Sequence, residues 1–211
     1  MAEKRTSLVD RLKNAVRRKS VNNEKKNSVE WLRAKLQNFV VYSRKEPAQK
    51  TFDRDDLNKY ASSYLEAQSG TMIGKMYMFQ YAAKHHETLP FWDKFPLIIL
   101  VGPAKGGVYG ANVHYLPPVL RAAFFDSLLG VINTKDINEK TRFQITYNIL
   151  KSTRKFRYFA PTFKHYLTPN IKSKIIYIPP TEWGNAVFLE NAEWQKAGRD
   201  TVYKWSREQI K

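Results

Sequence analysis

The chain has 211 residues, with 36 Lys and Arg against 19 Asp and Glu, a formal net charge of +17 and no cysteine. That length suits one domain with appendages or two small ones, and 43% hydrophobic residues with 14% aromatics supply a core, which excludes a wholly disordered chain. The lack of cysteine excludes a disulfide framework, a thiolate metal site and a Cys nucleophile; no apolar run is long enough to span a membrane, and the start, Met-Ala-Glu-Lys-Arg, has no apolar stretch of the secretory kind. Glu3 and Asp10 speak against an organelle transit peptide.

In chain order, Leu8, Val9, Leu12, Ala15 and Val16 share one face of a helix predicted over residues 6–19, with Thr6 as its cap and Arg11, Lys13, Arg17 and Arg18 on the other face. Residues 20–27 read as a polar break. A second helix is predicted from Val29 to Tyr42, with Asn27 and Glu30 in a capping-box pattern and Pro47 as its latest limit. A third, shorter helix is placed at Asp53–Tyr64. The period then changes. Met76–Tyr81 reads as a strand apolar on both faces, Lys84–Lys94 as a loop, Phe95–Val101 as a buried strand, and Val108–Leu116 as its returning partner after a Pro103–Gly107 turn. Pro117-Pro118 starts a helix over Val119–Val131. Another helix follows at Thr141–Lys151, then a last strand at Ile175–Pro179. A helix start at Pro180–Trp183, capped by Thr181, and a polar C-terminal helix within Leu189–Lys211 complete the chain.

Strands and helices that do not alternate as βαβ units indicate an α+β fold. The expected core is a small bent antiparallel sheet, with a partly open SH3-like barrel as the first form considered, flanked by helices. Residues 1–50 form a basic helical N-terminal arm and residues 51–211 an α+β body; the arm either packs on that body or extends from it.

The charge is unevenly spread. Residues 1–50 carry a net +9 and residues 151–175 a net +7 with no acidic residue, while residues 51–150 net +1 and residues 176–211 net 0. Two basic clusters of this size are the footprint of a polyanion, with nucleic acid first, then an anionic membrane or an acidic protein. The candidate nucleic-acid contacts are Lys13, Arg17, Arg18 and Lys19 in the first cluster and Lys151, Arg154, Lys155, Arg157, Lys164, Lys172 and Lys174 in the second. In the second, the cations alternate with Phe156, Tyr158, Phe159, Phe163 and Tyr166, which either stack on exposed bases or belong to the core. Nothing here forms a base-reading code, so weak sequence selectivity and strong salt dependence are expected.

Catalytic patterns are sparse. Gly102–Gly110 includes Lys105 among glycines but lacks the Walker A spacing and precedes a strand, so it reads as a hairpin loop with Lys105 at its tip. His85, His86, His114 and His165 have no partners at ligand spacing, and neither metal nor cofactor is expected. Glu193-Trp-Gln-Lys196 has the letters of a nuclease motif but reads as helical, and Asp93 reads as the cap of a turn. No Gly-x-Ser-x-Gly signature is present, and a non-enzymatic role is expected.

Three blocks carry a resemblance: Gly74-Lys-Met-Tyr-Met-Phe-Gln-Tyr; Leu89-Pro-Phe-Trp-Asp-Lys-Phe-Pro-Leu-Ile-Ile; and Gly107-Val-Tyr-Gly-Ala-Asn-Val-His-Tyr-Leu-Pro-Pro-Val-Leu-Arg121. With Ile171-Lys-Ser-Lys-Ile-Ile-Tyr-Ile-Pro and Glu182-Trp183, they span about residues 70–190 and resemble the DNA end protector proteins of T-even-type contractile-tailed bacteriophages. The resemblance implies a virion protein, present in the host cytoplasm during assembly, that shields the ends of packaged linear DNA and helps complete the head. Its partners would be double-stranded DNA ends and phage head or neck proteins, with no membrane and no catalytic residues. A structural connector docking on an acidic phage protein, a DNA end-processing nuclease and a ribosome-associated RNA-binding protein are the alternatives.

Overall fold

The computed structural model describes residues 6–41, 51–52, 72–132, 145–146, 148–150, 152, 159–189 and 194–209, with the backbone alone at 36–41 and 51–52. Its centre is an antiparallel sheet of six strands: β1 (Thr51–Phe52), β2 (Met76–Met78), β4 (Leu97–Ala104), β5 (Gly107–Asn112), β6 (Phe163–Leu167) and β7 (Ile175–Ile178), in the order β1-β7-β2-β4-β5-β6. β3 (Trp92–Asp93) and β8 (Trp194–Gln195) pair separately as a short ribbon. Helices α1 (Leu8–Arg17), α2 (Val21–Val41), α3 (Pro118–Ile132), α4 (Trp183–Phe188) and α5 (Arg199–Glu208) flank these sheets. The fold is α+β, as expected. The sheet ends at β1 and β6 without closing; strand order alone does not carry the SH3-like detail.

The central strands are buried on both faces. Met76, Tyr77 and Met78 on β2 and Leu97 to Leu100 on β4 are almost wholly inaccessible, so periodicity of apolar character is lost there and the run reads as continuous. β4 runs three residues past its predicted end, because Gly102 marks an irregularity in the β4–β5 pairing that lets Pro103 and Ala104 stay in register. The turn shrinks to Lys105-Gly106, where Gly106 takes φ +71°. β5 stops at Asn112 rather than continuing to Leu116: the Asn112 side chain accepts the His114 N–H at 3.0 Å and turns the chain into a 3₁₀ turn, Val113–Tyr115.

Several other boundaries move. Ser7, not Thr6, caps α1, accepting the Asp10 N–H at 3.0 Å. The expected polar break at 20–27 is helical from Val21 onward. Lys19 at φ +52° makes the reversal, α2 begins at Val21, and Asn27 and Glu30 lie inside that helix instead of capping it. Tertiary contacts outweigh the weak local propensity of this stretch: Glu24 pairs with Arg11 at 2.9 Å, and the Ser28 hydroxyl lies 2.9 Å from the Asn185 carbonyl. Four strands were not anticipated, among them β1 and β8. The loop at Lys84–Lys94 contains β3, and the basic segment contains β6. Ile175–Ile178 is not the last strand, because β8 follows it. Trp194 lies on β8, and only Arg199–Glu208 of the predicted C-terminal stretch is a described helix. Thr181 makes no side-chain cap, since a 3₁₀ turn, Pro180–Glu182, leads into α4. The predicted helix at Asp53–Tyr64 and the Pro47 limit lie outside the described residues. Of the helix at Thr141–Lys151, residues 145, 146 and 148–150 are described, and they are helical.

One apolar core joins the sheet to α1–α4. α1 packs on α3, α2 on α4, and α3 on α4, and Leu12, Ala15 and Leu32 are buried with the sheet residues. Trp31 donates to Glu182 at 2.9 Å and the buried Lys35 ammonium lies 2.9 Å from the same carboxylate, tying α2 to the turn ahead of α4. A second, smaller cluster of Phe91, Tyr115, Trp194 and Val202 joins the β3–β8 ribbon to α5.

Candidate nucleic-acid interface

α1 is amphipathic, and its apolar face is fixed to the body. Both oxygens of Asp126 on α3 accept from the start of α1, from Leu8 N–H at 2.8 Å and Val9 N–H at 2.9 Å. A carboxylate at a helix N-terminus satisfies orphan donors and complements the helix dipole. Arg11 turns inward, to Glu24 at 2.9 Å and over the Phe188 ring at 5.7 Å. That leaves Lys13, Arg17, Arg18 and Lys19 exposed on the outer side of α1 and the turn after it. Lys13 reaches Asp10 only at 3.9 Å, both side chains being well exposed, a geometry of little energetic weight. Arg18, Asn14 and Ser20 open on an open crevice of about 290 Å³ between α1 and the start of α2.

The second cluster divides. Lys151, Arg154, Lys155 and Arg157 lie outside the described residues. Lys172 and Lys174 are exposed on the link between β6 and β7, and this link is held firmly: Lys172 N–H donates to the Gln80 carbonyl at 2.8 Å, and Gln80 N–H donates to the Ser173 hydroxyl at 2.8 Å. Lys164 is placed differently. It sits on β6 with its ammonium 4.2 Å from the Tyr115 ring centre and 4.9 Å from that of Trp205. Burial lowers its pKa to about 8, against the attraction that ring faces exert on the charged form.

The interleaved aromatics resolve partly into core. Tyr166 is buried, accepts from the Asn112 amide at 3.1 Å and meets Phe79 and Tyr81 edge to face. Phe159 packs on Phe124. Phe163 is half-buried beside Tyr109, at 5.6 Å between ring centres. Phe156 and Tyr158 lie outside the described residues. The sequence does not mark Tyr109 as a surface residue; it is the one exposed position of β5, between buried neighbours.

Asp93 belongs to a closed network. One oxygen accepts the Phe95 N–H at 3.0 Å, capping the turn as expected; the other lies 2.8 Å from His114 Nδ1 and accepts the Asn112 amide at 2.9 Å. Asp93, Asn112 and His114 are all buried. The Glu193–Lys196 stretch is not helical as expected, since Trp194 pairs with Asp93 across the ribbon; Glu193 lies outside the described residues. The Lys196 ammonium donates to the carbonyls of Glu87 at 2.7 Å and Leu89 at 3.4 Å, clamping the loop before β3. Among the described residues, no group of three or more His, Cys, Asp or Glu could hold a metal ion, and no helix is long and apolar enough to cross a membrane.

A family model described as the phage T4 terminal DNA protecting protein matches residues 1–207. No curated protein and no solved structure gives a significant match.

Proposed function

From the premise that this chain belongs to the phage T4 terminal DNA protecting protein family, we propose that it caps the ends of packaged linear duplex DNA and thereby shields them from exonuclease. It does so as a virion component that also helps complete the head and meets head or neck proteins there. The reading rests on the outer face of α1. Lys13, Arg17, Arg18 and Lys19 are exposed on a helix whose inner face is anchored by Asp126 and Leu12. Cations held on a fixed element neutralise phosphates without first having to be ordered. Lys172 and Lys174, with Lys151, Arg154, Lys155 and Arg157 of the same segment, form the second contact, while Lys164 lies against Tyr115 and Trp205. In this division, residues 1–50 are one basic unit and residues 51–211 the body that carries the other.

The reading contains no bond-breaking step. The Asp93 carboxylate is occupied by three donors and buried, and the Lys196 ammonium by two carbonyls, placements that support a binding role over a nuclease.

Binding to a blunt duplex should weaken by about 10³ or more between about 50 and 200 mM salt if six or more phosphates are contacted. Replacing Lys13, Arg17, Arg18 and Lys19 together by Gln should flatten the slope of log K against log salt by about three to four. A salt-independent affinity, or a slope unchanged in that variant, would contradict the assignment.

A further inference from the structure

We infer that the face of β5 and β6 carrying Tyr109, Phe163 and His165 is a stacking platform for the terminal bases of DNA. Tyr109 is 38% exposed, an unusual setting for an aromatic side chain on an interior strand, and β6 beside it is an edge of the sheet. The residue directly opposite Tyr109 on β6 is His165, with ring centres 5.3 Å apart, and Phe163 lies 5.6 Å away, tilted by 32°. On the other side Tyr109 pairs with Gly102, where a β-carbon would meet nothing within 4 Å. The absence of a side chain at Gly102 means that no cross-strand side chain covers that flank of the Tyr109 ring.

Charge selects the occupant. β6 lies within residues 151–175, which hold seven cations and no carboxylate, and Lys105 is exposed at the β4–β5 turn. A platform of aromatic rings with an exposed lysine at the adjoining turn, on a chain of net charge +17, suits a ligand with flat apolar faces and anionic edges, which describes a nucleotide. Stacking is indifferent to base identity, in keeping with the lack of a base-reading pattern. It also distinguishes an end from the interior of a duplex, because only the end presents a bare base face. The inference rests on the DNA-end reading and adds to it the feature that recognises the end.

The test uses the full-length protein, a linear blunt duplex with 2-aminopurine at its terminal position, and a relaxed covalently closed circle of the same sequence as competitor. Wild-type protein should prefer the linear form and change the 2-aminopurine fluorescence on binding. Tyr109→Ala should lose that change and about tenfold of the preference for ends while binding the circle within twofold of wild type, and Tyr109→Trp should keep both. His165→Ala, at an exposed position, provides a second variant if Tyr109→Ala does not fold. A wild type that binds linear and circular DNA equally, a silent terminal probe, or a Tyr109→Ala variant with unaltered preference would overturn the stacking platform and leave DNA binding standing. A wild type that binds neither form would overturn the DNA reading and the platform with it.

Discussion

At the scale of single residues, the formal charge includes cations turned wholly or partly into the protein. Arg121 on α3 is wholly buried; its guanidinium donates to the carbonyls of Val113, Leu116, Ala186, Val187 and Leu189 and to the Tyr203 hydroxyl. The α4 carbonyls lie at the C-terminal end of that helix, where a cation is favoured. Arg121 therefore ties α3, α4 and α5 together. Lys164 is the other special cation, and its lowered pKa of about 8 makes stability depend on pH. The unfolded chain keeps this proton to about 10.5, so between those values the unfolded state binds more protons and stability rises with pH. Below about 8 both states are charged and the burial penalty acts in full. Burial raises the pKa of Tyr81, Tyr115 and Tyr166, which has the opposite effect above about 10, so the window lies between 8 and 10. Urea midpoints measured across that window should rise for wild type relative to Lys164→Met. Parallel curves would show that Lys164 is not the titrating group.

At the scale of elements, α1 depends on a cap supplied from α3. Asp126→Ala removes two charge-assisted bonds to the Leu8 and Val9 N–H groups and should cost about 1–2 kcal/mol. Amide exchange in α1 should accelerate about five- to thirty-fold while the amides of β2 and β4 stay protected, and affinity for duplex DNA should fall because the cations of α1 are no longer held in place. Uniform exchange throughout the chain would mean that α1 is not a separate locking unit. The same elements show what a sequence can reveal. Helix α3 and strands β2, β4 and β7 were legible because a run such as Leu97-Ile-Ile-Leu, or the Pro-Pro start before Val119, carries its own signal. The start of α2 and the strands β3, β6 and β8 were not. Phe163–Leu167 is interrupted by Lys164 and His165 and closely flanked by Pro161 and Pro169, and two-residue strands such as Trp92–Asp93 exist only because Trp194–Gln195 lies opposite. Long-range pairing of this kind leaves no local period to read.

At the scale of the whole molecule, an apolar core joins sheet and helices and bears the exposed cations of α1 and the turn after it, while the described part of the cation-rich segment between 151 and 175 contributes both exposed lysines and buried aromatics. The clustering of charge was legible by counting along the chain. The sorting of that charge was not: nothing local separates Lys164, held against Tyr115 and Trp205, from Lys172 and Lys174 in solvent, or Tyr109 at the surface from Tyr166 in the core. The partner across the sheet decides each case. In the proposed function the folded chain blocks the termini of linear duplex DNA. Digestion of a linear duplex by a processive exonuclease, at low salt and with protein in excess over ends, tests it most directly. Wild-type protein should preserve full-length DNA, and a variant with Lys13, Arg17, Arg18, Lys19, Lys172 and Lys174 replaced by Gln should not. Digestion at the same rate with and without wild-type protein would contradict the account.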